Sequence, residues 1–140
     1  MPSYRNHEGY PDPTAYEALR NIERRERAIN RYRPLVYICS PFAGDVRANI
    51  RAARKYSRFA ATQGCIPLAP HLLFPQFLDD SNVWERKLGL RFGIVLLTKC
   101  VEVWVFGDRI SAGMQEEIRK AKLKNRRIRY FTEDCKEVEK

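Results

Sequence analysis

Four short apolar runs decide what this chain can fold into. Residues 35–39 (LVYIC), 65–69 (CIPLA), 101–106 (VEVWVF) and 127–131 (RIRYF) are strand-length and rich in β-branched and aromatic side chains. Stretches of helix length separate them. Strand and helix in alternation mean βαβ units, and right-handed crossovers make the sheet parallel. If the first connection winds one way and the third the other, the strand order is 2-1-3-4, with the switch point between strands one and three. The expected fold class is therefore α/β: a Rossmann-like or flavodoxin-like open parallel sheet of four to five strands, with helices on both faces. The first, third and fourth strands should be buried. Pro67, which has no N–H to give, puts the second at an edge.

The helices carry their own start and stop signals. Thr14-Ala15-Tyr16-Glu17 has the form of a capping box, and its helix should run to about residue 30. Its apolar face (Tyr16, Leu19, Ile22, Ile29) is thin, so it needs a surface to lean on, either this sheet's edge or a partner subunit. Asp45 caps a second helix that stops at Gly64. Asn82 to Glu85 opens a third, expected to reach about residue 98, and Ser111 caps a fourth. Residues 1–11 read as a polar arm and 132–140 as a charged, frayed tail. The segment 72–80 is too apolar for a solvent loop, and reads equally as a wall over a ligand or as packing beneath a crossover. The resulting division is an arm and helix (1–33), an α/β domain (34–131) and a tail (132–140).

Composition narrows the function classes. No apolar run is long enough to span a membrane and no signal pattern opens the chain, so a soluble, cytoplasmic protein is expected. The four cysteines are widely spaced, without a CxxC pair, and only His7 and His71 could assist them. No metal site and no cofactor is expected; Cys39, Cys65 and Cys100 read as small buried hydrophobes. The formal charge is +9, from 26 basic against 17 acidic residues. That surplus suits anionic partners. Much of it falls in 20–33 and 120–129, which read as exposed helix faces, and no zinc-finger or RNP motif accompanies it. A solvated basic surface therefore accounts for the charge at least as well as a nucleic-acid groove does, and nucleic acid is not the expected partner.

The stretch 101–121 concentrates the chemistry. The third strand breaks at Gly107-Asp108-Arg109, Ser111 stands at an N-cap, and Met114, Glu117, Ile118 and Ala121 recur at helical spacing. Ligands of open α/β sheets bind at such carboxyl-terminal strand ends, and a helix start favours an anion there. Glu117 lies on the Gly113 side of the helix. A lone glutamate would read as a solvated helix residue; the neighbouring glycine and serine make it a candidate. Across the switch point the 40–44 turn faces the 107–113 turn, with His71 nearby at the end of the second strand.

These motifs together resemble a known family. Tyr37-Ile38-Cys39-Ser40-Pro41 with Gly44 and Asn49, then Pro70-His71, then Ser111-x-Gly113-Met114-x-x-Glu117 with Ala121 are similar in order and spacing to the nucleoside 2-deoxyribosyltransferase-like superfamily. The likeness covers 35–131 and is nearest to a branch with an N-terminal helix. It extends to 2′-deoxynucleoside 5′-monophosphate N-glycosidases. The resemblance implies that Glu117 is a nucleophile towards C1′ of a nucleoside or nucleotide. Base is expelled, and the glycosyl ester is resolved by water or a second base. It also implies a substrate and phosphate site built from Ser40, Pro41, Gly44, Asn49, His71, Gly107, Asp108, Ser111, Gly113 and Met114. A homo-oligomer, in the simplest case a dimer, is expected because family members build their pockets near subunit contacts. Two departures matter. The family's aspartate in the helix before strand three, which assists base departure, is Gly93 here, and the aspartate opening that strand is Val101; Asp108, Asp79 or Asp80 are the available substitutes. The resemblance therefore supports an N-glycosidase or deoxyribosyltransferase, with a nucleotide-binding or sensor protein that has lost its acid as the alternative. A basic nucleic-acid-associated protein with a vestigial pocket is the third reading.

Overall fold

The structure, a computed structural model, describes residues 13–140. The chain divides into two compact units, Met1–Tyr32 and Arg33–Lys140. In the first, α1 spans Pro13–Asn30. Thr14, the expected cap, lies within the helix; residue 12 and the 1–11 arm lie outside the described residues. Ile22 and Ile29 of its thin apolar face are 50% and 70% exposed.

The second unit is an open sheet of five strands in the order β2-β1-β3-β4-β5. The strands are β1 (Leu35–Cys39), β2 (Ile66–Leu68), β3 (Glu102–Phe106), β4 (Arg127–Phe131) and β5 (Glu137–Val138). All pairs are parallel except β4 with β5. The order agrees with the expectation, and β2 is an edge strand, where Pro67 removes no ladder bond. Alternate side chains of the central strands serve opposite faces. Val36, Ile38, Trp104, Phe106 and Phe131 pack with Tyr56 and Ala60 of α2 (Val46–Thr62). Tyr37, Cys39, Val103 and Val105 pack with Leu97 of α4 (Val83–Leu97) and with Met114 and Ala121 of α5 (Ala112–Leu123). Helices therefore cover both faces.

Three expectations need correction. Of β4 only Phe131 is buried; Arg127 and Arg129 instead reach Glu102 and Glu137 at a polar margin of the sheet. The tail is not wholly frayed, because a turn closed by Thr132 N–H donating to Lys136 O at 2.8 Å returns 137–138 against β4. Cys65 is half-buried rather than buried. The apolar segment 72–80 is also more ordered than a loop: α3 (Pro70–Leu73) runs into a 3-10 turn (Phe74–Gln76), and Phe74 packs edge-on against Phe92 of α4. Among the described residues no helix is long and apolar enough to cross a membrane.

Candidate functional site

The register of β1 sets the site. Tyr37 and Cys39, two apart, point to the same face at the carboxyl end of the strand, where α4 and α5 cover it. Ser111 caps α5 in extended conformation, its Oγ accepting the Met114 N–H at 3.2 Å. The helix so started turns Met114, Glu117 and Ala121 inward. Glu117 thus arrives beneath β1 with only 9% of its surface exposed. The Tyr37 hydroxyl donates to its carboxylate, and Cys39 Sγ stands 3.9 Å from Oε1.

Burial dominates the electrostatics of this group. Desolvation pushes the Glu117 carboxyl up to about 7, against the smaller opposite pull of the Tyr37 and Cys39 hydrogen bonds. Burial, then the neighbouring carboxylate, raises both Tyr37 and Cys39 well above their ordinary ranges. The phenol and thiol therefore stay protonated and serve as donors. Among the described residues no cation pulls this carboxyl back down.

Above Glu117 lies a cleft of about 570 Å³, within the size range of small-molecule sites. Of the residues predicted from the sequence, Glu117, Ser40, His71, Ser111, Gly113 and Met114 line it. Ser40 is 1% exposed and its Oγ has no hydrogen-bond partner among the described residues, an uncommon state for a buried hydroxyl. His71 is pinned: its Nε2 is 3.1 Å from the Ser40 carbonyl, and its ring stacks on Phe42 at 4.9 Å. Because a carbonyl only accepts, Nε2 carries the proton; burial keeps the ring below its usual pKa. A Cβ added at Gly113 would meet nothing closer than Ser111 Oγ at 3.9 Å. Protein packing does not demand a glycine there, and the open space belongs to the cleft.

Pro41, Gly44, Asn49, Gly107 and Asp108 stand outside the lining. They shape the loops that frame it. Asn49 Nδ2 donates to the Phe42 and Ala43 carbonyls at 2.9 and 3.0 Å, and Gly44 and Gly107 take the positive φ values of 99° and 92° that their turns require. Of the three substitute acids, only Asp80 lines the cleft; Asp79 is tied to Ser81 at 2.6 Å. Phe74 and Leu78 of the 72–80 segment line the cleft, the wall that was one of its two readings; sequence reasoning missed Tyr37 as a partner of Glu117, and Phe42, Glu85 and Arg86 as walls. The strand period relative to Cys39 was a signal for Tyr37. Nothing local marked Glu85 or Arg86, which reach the cleft only through the placement of α4. Glu116 lies at the rim, where Arg119 grips it at 2.7 and 2.9 Å.

Gly93 has a local cause. A Cβ there would stand 3.2 Å from the Tyr37 hydroxyl and 3.8 Å from Pro70. The phenol that holds Glu117 fills the space a larger residue would need.

The comparisons with known proteins agree with this architecture. The sequence model of a family described as a domain of unknown function, DUF7768, matches residues 34–131. No curated protein matches the chain. Among solved structures, the 2-deoxyribosyltransferase of the psychrotolerant bacterium Bacillus psychrosaccharolyticus is similar with a TM-score of 0.59 and 13% identity. The match covers 70% of this chain and 72% of that one. At such identity the likeness is one of fold.

Proposed function

This chain belongs to the DUF7768 family, and we propose that its cleft binds a nucleoside or nucleoside 5′-monophosphate and breaks the N-glycosidic bond over Glu117. The observation that carries this reading is a nearly buried carboxylate at the floor of a cleft, held by a phenol and, among the described residues, unpaired with any cation. In the ionised form, a Glu117 oxygen attacks C1′, and the electron pair of the breaking C1′–N bond leaves with the base. Water or a second base then displaces the carboxylate from the sugar. The departing nitrogen takes its proton from solvent in the open cleft, since Gly93 supplies no acid. Forgoing a positioned acid costs on the order of 10²-fold or more, which confines useful rates to bases that leave readily.

The test is incubation with a panel of nucleosides and their 5′-monophosphates, followed by chromatography for free base. Base release from at least one substrate is the expected result. Binding without release would assign the chain to the sensor alternative, which the glycine at 93 favours. Neither binding nor release would remove both readings.

A 5′-monophosphate should bind more tightly than its nucleoside. The Ala112 and Gly113 N–H groups have no acceptor within the helix, Ser40 Oγ awaits a partner, and Arg86 is on the wall. A tenfold affinity advantage adds about 1.4 kcal/mol of ligand stabilisation at saturating concentration, a melting shift of several degrees. Equal shifts for nucleoside and nucleotide would contradict a phosphate site.

We further propose a dimer. Val83 and Trp84 of α4 are 68% and 75% exposed, next to Glu85 and Arg86 of the cleft wall, and apolar surface of this kind is characteristic of interfaces. Light scattering at micromolar concentration should give about twice 16.5 kDa. The monomer mass would contradict it.

A further inference from the structure

The outer face of α2 carries a ridge of arginines that the cleft does not use. Arg47, Arg51, Arg54 and Arg58 are all exposed. At 100° per residue they fall within an arc of about 60°. That arc is opposite the buried stripe of Ala53, Tyr56 and Ala60. Among the described residues none of the four is paired with a carboxylate. The helix contains no acidic residue, and Asp45, which caps it, is spent on the Ala48 N–H. Lys55, one step round, lies over the Tyr56 ring at 5.4 Å and adds to the flank.

This is a poor arrangement for the helix by itself. Arg47 and Arg51, and Arg54 and Arg58, are like charges at i, i+4, and Arg51 and Arg54 are like charges at i, i+3; each pair destabilises a helix. Arg47 stands in the first turn, where the dipole disfavours a cation, and the last turn has no basic residue. An ordinary solvated face would intersperse acids. A row of guanidiniums placed against the dipole, with no counter-charge, is relieved when a row of anions lies along it.

We propose that this ridge docks the sugar–phosphate backbone of a nucleic acid. The arginines recur every 4.5–6 Å along the axis, at about 1.5 Å per residue. Duplex DNA offers one phosphate per roughly 3.4 Å of axis on each strand, so each long guanidinium has a phosphate within reach and can grip it bidentately. A lipid surface fits less well. An interfacial helix needs a free apolar side, and that side of α2 is occupied by the sheet. This inference is independent of what the cleft binds.

The test is fluorescence anisotropy of the full chain with a labelled 20-base-pair DNA duplex of arbitrary sequence, between 50 and 200 mM salt. Four phosphate contacts give a slope of log K against log salt of about −3.6, or roughly a 150-fold loss over that range. In Arg51→Gln/Arg54→Gln/Arg58→Gln the slope should fall to about −1, with no loss of melting temperature. Lys120→Gln/Lys122→Gln/Lys124→Gln, at the far end of α5, should retain the wild-type slope. Should the triple arginine variant fail to fold, the single Arg54→Gln should still lower the slope by about 1. The proposal is overturned if the arginine variants bind as wild type does, if no duplex binding occurs at 50 mM salt, or if phosphatidylserine vesicles are bound and the duplex is not.

Discussion

Glu117→Gln should abolish base release and, above pH 7, make the protein more stable. The two effects have one origin. In the unfolded chain the carboxyl ionises near its ordinary value of 4.5, and in the folded protein near 7. Between those values the folded state holds a proton that the unfolded state has lost. The stability contributed by this group is therefore complete below pH 4.5 and is lost as pH rises through about 7. A difference of about 2.5 units corresponds to roughly 3 kcal/mol. Glutamine keeps the acceptor for Tyr37 and never ionises. At pH 8 it should regain most of that amount, on the order of 10 °C in melting temperature, and almost nothing at pH 4.5. In the proposed reaction the activity moves oppositely, because there only the carboxylate attacks: base release by the wild type should rise with pH through about 7 and then level off. In the variant it should fall by a factor on the order of 10³ or more. Calorimetry at pH 4.5 and pH 8 reads the first effect and free-base assay the second. Equal melting shifts at both pH values would mean that the carboxyl is not buried as described. A variant that keeps its turnover would remove Glu117 from the chemistry while leaving the stability argument intact.

This opposition explains why the site was only partly legible in the sequence. The helix side was readable, since Ser111, Gly113, Met114 and Glu117 follow one another at fixed offsets and the cap does what a cap does. The sheet order followed from four apolar runs and the rule of handedness. What makes Glu117 unusual is not local. Its burial comes from β1, nearly eighty residues earlier in the chain, where two side chains on one face of a strand meet a helix. Likewise Glu85 and Arg86 look like ordinary surface residues of a helix start until α4 is laid beside the cleft. The short β5 was missed because two residues with a lone valine give no period; its pairing depends on the turn at 132–136 and on the Arg129–Glu137 ion pair at 2.6 Å. The α2 ridge was fully written in the sequence, at 47, 51, 54 and 58, but charge was weighed by segment rather than by helix face. Segment totals hid a stripe that the 100° rotation makes plain.

Gly93→Asp should destabilise the protein rather than restore the acid that the resemblance leads one to expect. Replacing a helix-interior glycine ordinarily helps, by up to about 1 kcal/mol for alanine. Here the added Cβ meets the Tyr37 hydroxyl at 3.2 Å, and Tyr37 is 2% exposed on the central strand β1, with its hydroxyl committed to Glu117. The phenol cannot yield without losing that bond. A carboxylate at 93 must therefore displace Tyr37 or share its space, and in either case it adds a second partly buried negative charge near the first. Like charge and the lost donor both push the Glu117 carboxyl further up. The expected cost is about 2–4 kcal/mol in urea unfolding, and the rise of base release with pH should move to higher pH than the wild type's. Gly93→Ala separates the two contributions, because it introduces the contact without the charge: helix propensity and the Tyr37 contact should nearly cancel, leaving stability within about 1 kcal/mol of wild type. If Gly93→Asp instead folds as stably as wild type and releases base faster, Tyr37 has room to move, and the glycine marks a lost acid rather than a space already filled by the phenol that holds Glu117.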